Sequence, residues 1–182
     1  MEIRLAGSGG QGIILAGVIL AEAAGRQEGK YVCQTQSYGP EARGGASKSE
    51  VVISDAEIDY PKALKPTVLL CLSQKACDTY IFDVRPGGVI IVDSGLVPQL
   101  PTSKVIGLPF TKIAREQAGG EMLANIVALG ALAVFTGVVS VKSLEAAIAA
   151  RVPKGMAAAN LKALRAGVAA AKAYLKQKPK AS

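Results

Sequence analysis

Two uninterrupted apolar runs constrain the fold most: "TVLLCLS" at 67–73 and "VIIVDS" at 89–94. Each is too short for a buried helix and lacks the polar alternation of a half-exposed strand. Such runs read as strands buried on both faces, which occur in parallel sheets covered by helices on each side. "KVIGLPF" (104–110) reads as a further strand, "EIRLA" (2–6) as a short one, and "YVCQTQS" (31–37) alternates as a strand does. "SKSEVVIS" (47–54) resembles a half-exposed strand, and "DAEI" after it suggests a short return strand. That pair is expected to be an antiparallel hairpin added to a mainly parallel sheet.

Helical patterns lie between and after these strands. "GIILAGVILAEAAGRQ" is expected to be a helix with Ile14, Val18, Ala21 and Ala24 on or near one face, ended by Gly29. Ser73 suits the N-cap of "QKACDTYIFD", and "TKIAREQAGG" reads as a short helix with a glycine stop. Beyond residue 120 only helices are expected, at about 122–138, 140–152 and 155–177, with Ser143 as a cap of the second and Pro153 as the break before the third. The expected fold is α/β, three-layered, with a mostly parallel, twisted, Rossmann-like sheet, an added hairpin and a helical C-terminal half. It forms one domain over 1–177, an α/β core to about 120 and a helical part from 121, with a basic tail at 178–182.

Composition narrows the chemistry. The chain has 182 residues and no histidine, which excludes histidine catalysis and histidine metal ligation. Cys33, Cys71 and Cys77 form no CxxC pair; three cannot hold an iron–sulfur cluster alone, and Cys33 and Cys71 read as buried thiols. No disulfide framework or signal peptide is indicated, so a cytoplasmic protein is expected. The run "MLANIVALGALAVFTGVVSV" (122–141) approaches the length of a membrane span, but Asn125, Thr136 and Ser140 favour a buried helix and no membrane partner. A net charge of +7 favours anionic partners, and Lys172, Lys176, Lys178 and Lys180 supply part of it at the helix end. Few aromatics and no clear basic stripe argue against nucleic acid.

Two glycine-rich stretches follow strands and should share the sheet edge where α/β folds bind ligands. "GSGGQG" places Gly7, Gly9 and Gly12 in a G-x-G-x-x-G pattern, with Gly10 and Gln11 between. Missing β-carbons let backbone N–H groups approach an anion at a helix start. A tight turn with close packing explains the pattern equally well. The second strand ends in "CQTQS", without the acid or arginine a dinucleotide ribose needs, which turns the motif away from NAD and FAD. The second stretch, "QSYGPEARGG" (36–45), has no G-K-[ST] and is not a P-loop. So many glycines and a proline around Glu41 and Arg43 read as an interface or ligand loop. Ser73–Gln74 and Asp93–Ser94 should join this edge.

Together, "GSGGQGIILAGVILAEAA" and "QTQSYGPEARGGASKSEVVIS" resemble the γ subunit of 2-oxoacid:ferredoxin oxidoreductases, most closely the 2-oxoglutarate type. The likeness continues through "VLLCLSQKA", "GGVIIVDSGLV" and "NIVALGALAVFTG", over about residues 1–170. The resemblance implies a complex that converts a 2-oxoacid and coenzyme A to acyl-CoA and CO2 and passes electrons to ferredoxin. It implies thiamine diphosphate with magnesium on the α and β subunits and iron–sulfur clusters on β or a small δ subunit. This chain lacks the residue patterns for either group, so no catalytic residue, metal ligand or resident cofactor is expected on it. By the same resemblance coenzyme A is assigned to Gly7, Gly9, Gly10, Gln11, Gly12, Ser37, Tyr38, Gly39, Arg43, Gly44 and Gly45. The alternatives are a purely structural subunit, with Tyr38, Glu41 and Arg43 meeting the α subunit, and a free-standing dinucleotide-binding oxidoreductase. Self-association of the isolated chain, as a homodimer through an apolar face, is also expected.

Overall fold

The computed structural model describes residues 1–38 and 46–177. Six strands form one sheet: β1 (Glu2–Ser8), β2 (Tyr31–Ser37), β3 (Ala46–Ser54), β4 (Val68–Cys71), β5 (Val89–Asp93) and β6 (Ile106–Leu108). Their spatial order is β2-β3-β1-β4-β5-β6. β1, β4, β5 and β6 run parallel, while β3 is antiparallel to both β1 and β2. The α/β expectation therefore holds, and the hairpin needs correction. β3 pairs with β2, from Tyr31↔Ser54 to Ser37↔Lys48, and residues 55–58 form no return strand. Ser54 Oγ accepts from the Ala56 N–H at 3.0 Å and turns the chain off the sheet.

The helices cover the two faces unequally. α1 (Ile13–Glu22), α3 (Phe110–Ile113), α4 (Ala124–Thr136), α5 (Val141–Arg151) and α6 (Lys154–Gln177) share one apolar core with Ile3, Leu5, Val51, Leu70 and Ile91 of the sheet. The other face carries α2 (Gln74–Tyr80) over a smaller cluster that includes Ala6, Leu69, Cys71 and Val92. In α4 every residue from Ala124 to Ala133 is buried, because the sheet lies on one side and α6 on the other. That burial accounts for a helix apolar all round. No single helix among the described residues is long and apolar enough to cross a membrane.

α4 and α6 approach closely through two glycines. A β-carbon on Gly167 would lie 1.8 Å from the Val127 carbonyl oxygen, and one on Gly130 would lie 2.3 Å from that of Leu164. No side chain fits at either crossing point.

Three local expectations are corrected. The buried residues of α1 are Ile13, Ala16, Gly17, Ile19 and Leu20; of the expected face only Ala24, just past the helix, is buried, while Ile14, Val18 and Ala21 are half-buried. Gly17 decides this: a β-carbon there would sit 2.0 Å from Ser49 Oγ, so α1 lies against β3 along its glycine side. A π turn at Ala23–Gln27 extends the helix to Gly29. The cap of α5 is Ser140, whose Oγ accepts from the Ser143 N–H at 3.0 Å; Ser143 stands one turn too late. Cys33 is only half-buried, because β2 is the edge strand, whereas Cys71 is buried as expected. Ser73 does cap α2, accepting from the Ala76 N–H at 3.3 Å.

Candidate ligand site at the glycine-loop edge

The register brings the first glycine stretch and the residues that flank the second, Ser37 and Ala46, to one edge. Ser8, the last residue of β1, lies opposite Ala46, the first of β3, and Ser37 lies opposite Lys48. The β-strand ends at Cys71, Asp93 and Leu108 belong to the same edge because β4, β5 and β6 run parallel to β1. Gly39, Glu41, Arg43, Gly44 and Gly45 lie outside the described residues. Of their neighbours, Ser37 is exposed and Tyr38 is 69% exposed.

The first loop is held from three sides. Gln11 Oε1 accepts from the Ser8 N–H at 2.7 Å, and Gln11 Nε2 donates to the Leu72 carbonyl at 2.8 Å. Ser47 Oγ donates to the Gly7 carbonyl at 3.2 Å. Asn125 Nδ2 donates to the Gly12 carbonyl at 2.9 Å. Gly12 has φ +69°, and a β-carbon there would meet Asn125 Nδ2 at 2.4 Å. Gly7 is likewise closed in, with Gln11 Oε1 2.6 Å from where its β-carbon would be. Gly9 and Gly10 are exposed and have open space around them. The expected residues thus divide: Gly7, Gln11 and Gly12 shape the loop, and Gly9 and Gly10 present it. α1 begins at Gly12 without a side-chain cap or an acid in its first turn. Its first N–H groups and dipole therefore favour a negative group at this edge.

Of the other expected edge residues, Ser73, Gln74 and Asp93 are occupied and Ser94 is exposed. Asp93, fully buried, accepts from the Thr111 N–H at 2.8 Å, the Thr111 hydroxyl at 2.6 Å and the Gly95 N–H at 2.9 Å. Gln74 bonds Asp78 at 2.7 Å and the Gln99 carbonyl at 2.8 Å. Both brace loops and leave no carboxylate or amide free for a ligand.

Two hollows open on either side of Gly10. One, about 220 Å³, is lined by Gln11, Leu96, Thr111 and Glu121. The larger, about 450 Å³, lies between the loop and the start of α6, lined by Gly12, Leu15, Met122, Asn125 and Met156. Sequence reasoning missed Asn125 as a site residue. The available signal was a lone amide within thirteen otherwise helical, mostly aliphatic residues. Among the described residues, no group of three or more His, Cys, Asp or Glu could hold a metal ion. Cys71 and Cys77 are hydrogen-bonded neighbours, and that bond together with burial pushes the Cys71 thiol well above its usual range. The donor set does not fit an iron–sulfur cluster.

Residues 2–170 match the family model of pyruvate ferredoxin/flavodoxin oxidoreductases. The chain is 55% identical over 175 residues to the 2-oxoglutarate synthase subunit KorC of Methanocaldococcus jannaschii, covering 94% of each. It superposes with TM-score 0.85 and 49% identity on the keto/oxoacid ferredoxin oxidoreductase gamma subunit of Geobacter sulfurreducens, covering 94% of this chain and 98% of that one. A 2-oxoglutarate:ferredoxin oxidoreductase from Magnetococcus marinus, with 2-oxoglutarate, coenzyme A and succinyl-CoA bound, matches all of this chain over 32% of its own, at TM-score 0.84 and 27% identity. The chain therefore belongs to the pyruvate ferredoxin/flavodoxin oxidoreductase family, as a gamma subunit of the 2-oxoacid:ferredoxin oxidoreductase type.

Proposed function

We propose that this chain is the non-catalytic gamma subunit of a complex that oxidatively decarboxylates 2-oxoglutarate. The 2-oxoacid loses CO2, its acyl group passes to the sulfur of coenzyme A, and the electron pair released goes to ferredoxin. In this reading thiamine diphosphate, magnesium and iron–sulfur clusters reside on partner α, β or δ subunits. This chain supports assembly and binds part of coenzyme A.

The observation that carries the coenzyme A role is the braced loop at Gly9–Gly10, open to solvent at an uncapped helix start. Phosphate oxygens suit such N–H groups. The described residues lining the two hollows beside the loop include no lysine or arginine. Arg43, from the neighbouring stretch, is the cation we assign to a phosphate, since guanidinium meets phosphate in a bidentate fork. The test is calorimetric titration of coenzyme A into the assembled complex. Arg43→Ala should weaken binding about tenfold or more, in line with the loss of a charged hydrogen bond. Unchanged affinity in an assembled variant would sink the role of Arg43.

A second reading, a purely structural subunit, is favoured by Tyr38, which stands 69% exposed beside the loop as interface anchors do. Co-purification decides it. Loss of the partners from Tyr38→Ala with coenzyme A affinity retained in the residual complex would support that reading instead.

A further inference from the structure

The outer edge of β2 is unpaired among the described residues, because the sheet ends there. The register says which backbone groups it offers. The Ile53 N–H donates to the Met1 carbonyl, so the odd-numbered residues of β3 turn their N–H and C=O groups to β1. The even-numbered ones turn to β2, where Val52 and Glu50 stand opposite Cys33 and Thr35. Val32, Gln34 and Gln36 therefore direct their N–H and C=O groups outward. Natural proteins blunt exposed edges with charge, proline, a bulge or short length. β2, "YVCQTQS", has no charge and no proline, and all seven of its residues pair with β3 in unbroken register.

A hollow of about 250 Å³ lies beside this edge, between β2 and the end of α1. Val18, Ala21 and Val32 give it apolar walls, and Gln34 and Arg26 also line it. A strand laid along β2 sits about 4.8 Å away, and its side chains opposite Val32 and Gln34 stand on the same face, about 5 Å from theirs. They enter the hollow. Of the two charges there, Glu22 pairs with Arg151 at 3.3 Å, whereas Arg26 is exposed and has no ion pair among the described residues. A second copy of β2 does not suit this chemistry. Paired with itself, β2 brings Val32, Gln34 and Gln36 to that face and no carboxylate for Arg26.

We propose that an extended segment of a companion subunit pairs with the outer edge of β2 as a seventh strand, its carboxylate meeting Arg26 and an apolar side chain two residues away filling the hollow. This rests on the assembly role proposed above. Main-chain bonds to Val32, Gln34 and Gln36 give the contact its strength, and the hollow gives it selectivity.

Amide hydrogen exchange in the isolated chain and in the assembled complex tests this. Assembly should slow the Val32, Gln34 and Gln36 amides about tenfold or more, while those of Cys33 and Thr35, already bonded to β3, change less. Arg26→Glu should weaken assembly about tenfold or more. Gln34→Pro removes an outward N–H that β3 does not use and should block the added strand. Arg26→Glu, on an exposed side chain, keeps the test informative if Gln34→Pro fails to fold. Equal exchange of the three amides in the free and assembled chain overturns the inference and leaves the assembly role standing, as does assembly indifferent to Arg26→Glu. Protection that instead grows with the concentration of the isolated chain means that a second copy takes the edge, and the inference is wrong. If no complex with companion subunits forms, both readings fall.

Discussion

The two faces of the sheet solve the same burial problem differently. On the face carrying α1 and α3–α6, Ile3, Leu5, Val51, Leu70 and Ile91 share one apolar core, in which the small hydroxyl of Ser49 opposite Leu5 is the nearest polar group on β3. On the α2 face, β1 and β3 put Arg4 directly opposite Glu50, and both are buried. Arg4 Nη2 lies 2.7 Å from Glu50 Oε1 and 2.9 Å from the Ala63 carbonyl, and Nη1 pairs with Asp83. Its guanidinium lies 5.0 Å from the Tyr80 ring centroid, and Lys48 joins Glu50 at 3.1 Å. A single short helix and loops cannot supply enough apolar surface there, so paired charges fill the space. The lesson is that helix number per face decides whether a strand position can be apolar, even within one sheet.

The comparison breaks most visibly at Arg4. Arg4→Ala leaves Glu50 buried with Lys48 as its remaining cation, and should cost about 3–5 kcal/mol by chemical denaturation. Arg4→Met/Glu50→Leu should recover most of that loss if the pair serves burial rather than net attraction. On the apolar face the counterpart is Gly167→Ala, whose methyl would lie 1.8 Å from the Val127 oxygen and force α4 and α6 apart. About 3 kcal/mol is expected, at the upper end for overpacking. A cost there below about 1 kcal/mol would mean that the helical layer is looser than the crossing implies.

Smaller effects sharpen the boundary between the sheet-covering helix α1 and the outer helix α5. Ser140→Ala removes the α5 cap and should cost about 1 kcal/mol. Glu28, after the π turn of α1, accepts from the Ser140 N–H at 2.6 Å and the Ser143 hydroxyl at 2.8 Å. Partial burial raises its pKa, but these bonds and Lys30 outweigh that and hold it below the usual carboxylate value. A depressed folded pKa stabilises fully above the unfolded value of about 4.3, and the gain is lost as pH falls through the folded value. Glu28→Gln should therefore flatten the stability profile below about pH 4.3 in acid titration, with a loss of less than about 1 kcal/mol at neutral pH.

How far the sequence carries depends on whether the deciding partner is local. Strands buried on both faces announce themselves, because β4 and β5 need no alternation. Ser73 was readable as a cap since its bond spans three residues. The place of β3 was not: its two neighbours are set by register with β1 and β2, and residues after Ser54 look strand-like without pairing. The buried side of α1 differs from the expected one because Gly17, which has no side chain to signal burial, makes its tightest contact. At the site, the glycine spacing reads as a loop at the end of β1, which is where Gly9–Gly12 stand. The roles of Gln11 and Asn125 depend on Leu72 and on Gly12, 61 and 113 residues away in sequence. Only the bond of Gln11 to the Ser8 N–H is local, and the lone amide in α4 marks Asn125 out without revealing its partner.

The order in which the layers arrive from the ribosome follows from the same architecture. All six strands lie before residue 109, yet α4, α5 and α6, which complete the larger core, come after residue 123. A nascent chain with its whole sheet made still presents Leu70, Ile91 and their neighbours uncovered on that side. Closure waits for residues as late as Ala171, near the end of α6. Truncation within α6 therefore uncovers the outer apolar side of α4 rather than trimming a tail, and a chain stalled there is a substrate for chaperones and aggregation.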